Sequence, residues 1–351
     1  MRGALRQALE RSLLRLWFAP PASPWSRAAA ALLWPACALA RFVAARRRKA
    51  VRRLPPGARP AVVVIGNLTA GGTGKTPATA ATASALSARG WRVGVLCAGY
   101  RAQRREPRIV TPASDPRADG DEAVLLALQT GLPVASGRLR GDALALLSRR
   151  HPDLDLVVSD DGLQHPGLDR TLEVGVFDER GAGNGRMLPA GPLREPLERA
   201  GELDAILLNG CSAPAAGVPS PPAQPRFRFD LRVQAVQRLD GSETLAPGEF
   251  AARFSGRPVA ALAGIGHPER FFAALAALGL EFERHAPGDH ARLDAGVLGA
   301  IRAEAIVMTA KDAVKCRELA DRRCWVVRTD TRVDPAFIDW IEERLRGHPT
   351  A

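Results

Sequence analysis

Lysine is nearly absent from this chain, with four residues (Lys49, Lys75, Lys311 and Lys315) among 49 basic ones. Where arginine is so strongly preferred, a retained lysine marks a position that calls for a compact ammonium. Acid is missing from the beginning: residues 1–60 hold 13 Lys/Arg and a single acid, Glu10. The remaining residues carry 36 charges of each sign, so the formal charge of +12 belongs to the N-terminal segment alone. The body of the protein has no basic excess to neutralise phosphates, which argues against a nucleic-acid-binding protein. Cysteine is sparse and unpaired in pattern. The five (Cys37, Cys97, Cys211, Cys316, Cys324) form no C-x-x-C, which argues against a disulfide framework and a zinc site and fits a reducing compartment. No internal repeat is present.

Long apolar runs are also lacking. AAAALLWPACALA (Ala28–Ala40) stops after 13 residues at Arg41, short of the about 20 that span a bilayer, so a span requires Arg41 to snorkel. Before it, Leu5, Leu9, Leu13 and Leu16, with Trp17 and Phe18, recur at helical spacing among Arg2, Arg6, Arg11 and Arg15. Residues 1–60 therefore read as a basic amphipathic helical segment lying on an anionic membrane surface. The alternative is a helix pair docked on the core with a solvated basic face. A cleaved signal peptide is disfavoured, because the charged stretch before the apolar run is too long and a nucleotide loop follows.

From Ala61 onward, apolar strands alternate with helical stretches. AVVVI, WRVGVLCAGY, LPVASG, LDLVVSDDG, TLEVGVFDE and LDAILLNG read as strands; TPATAATASALSARG, GDEAVLLALQTG and RGDALALLSRRHP read as helices. That order predicts an α/β fold with a mostly parallel sheet and helices on both faces. SAPAAGVPSPPAQP (212–225) is a Pro/Ala-rich linker and the predicted boundary between a P-loop domain (61–211) and a smaller α/β domain (226–351). The latter closes with a helix, DPAFIDWIEERLR, capped near Asp334.

Behind the first strand stands GNLTAGGTGKTP (Gly66–Pro77), close to the G-x-x-x-x-G-K-[ST] loop but with Thr69 in place of its first glycine. Such a loop needs successive backbone N–H groups curled around phosphates, and Gly71, Gly72 and Gly74, with Thr73 between them, provide that freedom. Lys75 then reaches the β/γ-phosphates of ATP, Thr76 reaches Mg²⁺, and the helix N-terminus adds its dipole. Partition-type ATPases carry a lysine at the position of Ala70, and GTPases carry N-K-x-D; neither occurs here, which leaves a kinase or related ATP enzyme in front. LDLVVSDDGLQH (Leu154–His165) delivers Asp160 and Asp161 to a strand's C-terminal edge, where one carboxylate holds Mg²⁺ directly or through water. In GDEAVLLA, Asp119 and Glu122 also fit a plain capping box. His165 reads either as a phosphate-side donor or as a loop histidine.

GNLTAGGTGKTP, GDE, SDDGLQH, NGRMLPAGPLREP (Asn184–Pro196), AGIGHPERFF (Ala263–Phe272) and TAKDAVK (Thr309–Lys315) occur in this order. Together they resemble the tetraacyldisaccharide 4′-kinases, the lipid A 4′-kinases of Gram-negative bacteria, over about residues 10–345. The resemblance implies ATP- and Mg²⁺-dependent phosphorylation of the 4′-hydroxyl of an acylated glucosamine disaccharide 1-phosphate, giving lipid IVA. It also implies a peripheral or N-terminally anchored protein at the cytoplasmic face of the inner membrane, with no protein partner required. It assigns Lys75 and Thr76 to nucleotide and Mg²⁺, Asp160 and Asp161 to metal and phosphate chemistry, and Arg194 and Glu195 to the phosphates or metal. Asp121 becomes the base and His290 its partner, with His267 a rival for the latter. Two departures stand out: CAGYRA (Cys97–Ala102) replaces the family's S-R-G-Y-G-G, keeping the chain's single tyrosine, Tyr100, and APGDHARL lacks the aromatics usual around its D-H pair. A P-loop ATPase acting as a protein-partner switch at the membrane, or a kinase of another glycolipid, remains the alternative.

Overall fold

The computed structural model describes residues 12–18, 23–55, 57–99, 102–103, 106–210, 217–219, 221–289, 291–319 and 321–346, apart from isolated positions and the side chain of Trp25. Among these, residues 12–17 are helical (α1) and are followed by a long helix, α2 (Pro24–Lys49). The first half then runs β1 (Ala61–Gly66), α3 (Lys75–Ala88), β2 (Val93–Cys97), β3 (Arg108–Val110), α4 (Pro116–Asp119), α5 (Asp121–Thr130), β4 (Val134–Ser136), α6 (Arg140–Arg150), β5 (Leu156–Asp160), β6 (Leu172–Phe177) and β7 (Ala205–Asn209). The second half holds β8 (Arg226–Arg238), β9 (Thr244–Leu245), α7 (Pro247–Arg253), β10 (Val259–Leu262), α8 (Pro268–Ala276), β11 (Glu283–His285), α9 (Ala295–Ala300), β12 (Ala305–Met308), α10 (Ala310–Cys316), β13 (Cys324–Val333) and α11 (Pro335–Arg346).

All the described strands join one sheet in the order β11-β10-β12-β13-β8-β7-β6-β1-β5-β2-β4-β3, with β9 beside β8. Pairing is parallel except at β3–β4, β8–β9 and β8–β13. β8 is the splice: its first residues pair parallel with β7 (Ile206↔Arg226), and most of its length pairs antiparallel with β13. The sheet therefore passes without interruption across the Pro/Ala-rich stretch, of which residues 212–216 and 220 are not described.

β1 sits centrally between β5 and β6, so its loop opens at a switch point, the usual ligand crevice of such sheets. Its residues alternate between two cores, as a strand period of two requires. Val63 and Ile65 pack with Ala78, Ala83 and Leu86 of α3, and with Phe337, Trp340 and Ile341 of α11. Val62 and Val64 pack on the other face with Leu147, Leu163 and Leu168. α11 thus crosses back from the second half onto the first, and Trp91 Nε1 donates to Glu342 at 2.7 Å beside that contact. Asp334 caps it, accepting from Ala336 N (3.0 Å).

α2 runs unbroken through Pro35 and Arg41 for 26 residues, about 39 Å at 1.5 Å per residue. It is long and apolar enough to cross a membrane, and its apolar window is not buried against the rest of the chain. Leu32, Trp34, Leu39 and Phe42 are exposed, 63% or more in each case, so this surface is not docked on a core. Polar contacts tether the helix: Arg186 to Ser26, Cys37 Sγ to the Met187 carbonyl (3.4 Å), and Arg48 to Glu202 (2.9 Å).

Candidate active site

The loop after β1 is built around the glycines that the sequence singles out. Gly71 and Gly74 take φ of +110° and +92°, and a side chain at Gly74 would collide with the Asn209 amide. Buried Asn67 stitches the loop from within, donating to Thr73 Oγ1 (3.1 Å) and to the Gly71 carbonyl (3.4 Å). Asn209, at the end of β7, donates to the Thr73 carbonyl (2.8 Å) and accepts from Arg270 of α8 (3.0 Å). With its carbonyls engaged in this way, the loop has its N–H groups left for an anion. Gly72 abuts the backbone of Gly266 and His267, so the AGIGHPERFF turn of the second half walls the loop. His267 opens α8 without capping it through its side chain, and its Nδ1 lies 4.0 Å from Glu179.

Lys75 and Thr76 are the first two residues of α3. Thr76 Oγ1 donates to Asp160 Oδ2 (2.8 Å), and Thr79 Oγ1 to Asp160 Oδ1 (3.3 Å). Lys75 Nζ lies 3.6 Å from Asp161, whose two oxygens also take Arg194 Nη1 at 2.9 and 3.0 Å. The two neighbouring acids thus differ. Burial, followed by the nearby Glu122, pushes Asp160 up to about 7 against the pull of Lys75. Burial also opposes the charge on Asp161, but Lys75 and Arg194 outweigh it and hold that carboxyl well below the usual range. Asp161 has φ +50°, the one positive value at a non-glycine among the described residues, and this turn aims its side chain back at Arg194.

Glu195 is buried, accepts from Gln164 Nε2 (2.7 Å) and lies 3.7 Å from Arg199. Burial raises its pKa despite the Gln164 hydrogen bond. Gln164 also donates to the Asn67 carbonyl (3.2 Å), so the DDGLQH and PAGPLREP stretches meet under the loop. His165 turns away, its Nε2 donating to the Arg138 carbonyl (2.6 Å), which favours the loop-histidine alternative.

Asp121 opens α5 and is 8% exposed. Its Oδ1 accepts from Glu122 N (2.9 Å), and Lys315 lies 3.8 Å from Oδ2. Glu122 makes no capping box: its carboxylate takes Lys311 (2.9 Å), which also binds Asp289 (3.1 Å). Lys315 is held by Asp312 (2.9 Å), and Asp312 caps the Gly264 N–H (2.8 Å). Three of the four lysines therefore converge on this edge of the sheet. His290, the expected partner of Asp121, lies outside the described residues, as do Tyr100 and Arg101.

Several residues here escape motif reading. Asn209 ends β7 and Asp178 directly follows β6, and polar residues at the C-terminal ends of parallel strands were the available signal. Arg140 had none: fully buried, it donates to the Asp160 carbonyl (2.5 Å) and so braces the aspartate pair from behind.

The donor set suits a hard divalent cation. Thr76, Asp160, Asp161 and Glu195 offer only oxygen, and Asp160 is a buried carboxylate whose charge burial and Glu122 disfavour more than Lys75 and Thr76 favour it. Mg²⁺ supplied there would neutralise it.

Comparison with known proteins follows the same lines. Residues 29–346 match the family model described as tetraacyldisaccharide-1-P 4′-kinase. A tetraacyldisaccharide 4′-kinase of Bordetella petrii is 44% identical over 90% of this chain and 92% of its own length. One from Chromobacterium violaceum is 45% identical over 90% of this chain and 94% of its own. The fold matches the crystal structure of LpxK from Aquifex aeolicus in complex with ATP, with TM-score 0.70 and 23% identity over 90% of this chain and 99% of that one.

Proposed function

The chain belongs to the tetraacyldisaccharide-1-P 4′-kinase family, and from that premise we propose that it transfers the γ-phosphate of ATP to the 4′-hydroxyl of a tetraacyldisaccharide 1-phosphate, forming lipid IVA. The observation that carries this reading is the meeting of Lys75 and Thr76 with Asp161 and Asp160 at 3.6 and 2.8 Å, at the sheet's ligand edge.

Phosphoryl transfer asks mainly for positioning and charge stabilisation. Backbone N–H groups of residues 71–76 and the Lys75 ammonium hold the β- and γ-phosphates. Arg194 and Lys75, now paired with Asp161, supply positive charge toward the transferring group. Thr76 and Asp160, with Asp161 and Glu195 nearby, would hold Mg²⁺, which would supply charge neutralisation at the phosphate oxygens. Asp121 accepts the proton of the attacking sugar hydroxyl, because a carboxylate committed to a cation, such as Asp160, retains little proton affinity. Lys315 and the Lys311–Glu122 pair keep Asp121 in place, and His290 orients it or relays its proton.

The exposed apolar surface of α2, with Arg41 and the Arg46–Lys49 run, supports residence at the cytoplasmic face of the inner membrane, where an acylated acceptor resides. Residues 61–211 and 226–351 act as kinase body and acceptor-side wall around one site. Incubating the purified protein with γ-labelled ATP and tetraacyldisaccharide 1-phosphate in mixed micelles tests the assignment. Label appearing on the lipid at the 4′-position supports it; release of free phosphate with no labelled lipid, at any lipid concentration, overturns it.

A further inference from the structure

A chain of contacts joins the N-terminal helix to the nucleotide loop, and the scheme above makes no use of it. Arg180 follows β6, and Asp178 fixes its guanidinium, accepting from Nη2 at 2.6 Å and from Nε at 3.1 Å. The same Nη2 donates to the carbonyl of Gly72 at 3.0 Å. On its other side the guanidinium carbon lies 5.1 Å from the centroid of the Phe18 ring. Phe18 directly follows α1, and α1 is pinned to the 181–196 loop by three hydrogen bonds. Asn184 N donates to the Trp17 carbonyl (2.7 Å), Asn184 Nδ2 to the Leu16 carbonyl (3.1 Å), and Trp17 Nε1 to the Pro189 carbonyl (2.9 Å). That loop grips the phosphate loop further along, where Ala70 N donates to Pro192 and Arg194 N to Leu68 (2.7 Å each).

A loop that turns its N–H groups inward to a phosphate must turn carbonyls outward, and a half-buried outward carbonyl needs a donor. Arg180 is that donor for Gly72, next to Gly71 with its φ of +110°. An aromatic face over the guanidinium excludes water and favours the cation in that one place. We propose that Arg180 is a positioning residue of the nucleotide loop and that Phe18 seats it, so that the N-terminal segment completes the ATP site besides meeting the membrane. This rests on the kinase reading above.

The test uses the full-length protein in mixed micelles, with ATP binding followed by calorimetry and turnover by lipid phosphorylation. Arg180→Gln is expected to raise the ATP Kd and KM about tenfold or more, with the lipid KM unchanged, and Arg180→Lys to recover part of the loss. Phe18→Ala is expected to raise the ATP KM about threefold, without changing partition onto anionic vesicles. In the Arg180→Gln background the same change should add little, because the two act as one unit. An ATP Kd and KM equal to the parent's in either single variant overturns the proposal. So does a fall in melting temperature and total activity with the ATP KM unmoved, the mark of a merely structural role. Failure of the kinase reading looks different: the parent binds ATP and the variants weaken it as expected, yet no lipid is phosphorylated.

Discussion

Lys311 of α10 meets Glu122 of α5 at 2.9 Å, joining two residues 189 positions apart and tying the second half of the chain to the neighbour of Asp121. Burial works against the ammonium, but Glu122 and Asp289 outweigh it and lift its pKa above the usual lysine range. Lys311→Met is expected to lower kcat by about 10- to 100-fold, because a misplaced base is costly well before the fold fails. Lys311→Arg should restore part of the rate. Steady-state kinetics with the ATP KM as internal control checks this; unchanged kcat in the methionine variant would reduce the pair to a surface latch.

Asp121→Asn should lower kcat by about 10²–10⁴-fold, the range for losing a general base, with the ATP KM little changed. If the variant keeps kcat and instead loses Mg²⁺ or ATP affinity, Asp121 belongs to the cation side of the site.

Lys75→Met should abolish measurable transfer, a loss of at least about 10³-fold, since stabilisation of charge is the main work of such a site. The fold should survive, because Asp161 keeps Arg194 at 2.9 Å. A melting temperature near the parent's, with nucleotide binding lost, is the expected pair of results.

The raised pKa of Asp160, about 7, makes the cation-free protein pH-sensitive. An acid whose folded pKa exceeds its unfolded value binds its proton more tightly when folded. Its favourable contribution is full below about pH 4 and is lost as pH rises through 7, at up to about 1.4 kcal/mol per pH unit. In chelator, the melting temperature should fall between pH 5.5 and pH 8, and Asp160→Asn should flatten that slope. Mg²⁺ should recover more stability at pH 8 than at pH 5.5. A parent slope identical to that of the asparagine variant would contradict the assignment.

Deleting the whole N-terminal segment would confound membrane docking with the ATP site, because Trp17 and Phe18 reach the 181–196 loop and Arg180. Point changes separate the two. Leu39→Ser with Phe42→Ser removes exposed apolar area from α2 and should weaken vesicle binding severalfold, leaving the ATP KM unchanged. Vesicle binding equal to the parent's would mean that another surface holds the membrane.

What could be read without coordinates was local. The order of strands and helices, the glycines at 71, 72 and 74, Lys75–Thr76 and the Asp160–Asp161 pair each show themselves within a dozen residues, because period and turn chemistry act between chain neighbours. The exposed run at 28–40 was legible as apolar, but its continuation as one helix through Arg41 was not, since a single charge does not stop a helix whose polar end lies in water. Tertiary structure alone decided the rest. Glu122 reads from the sequence as a capping residue, and only α10, by bringing Lys311 to it, makes it an ion-pair partner. Arg140 and Arg180 carry no local signature and Asn209 only its place at a strand's end; their roles arise because the end of β7, the start of α6 and the turn after β6 meet the Asp160 turn and the phosphate loop. Such contacts depend on the register of distant strands in a common sheet, which short-range spacing does not encode.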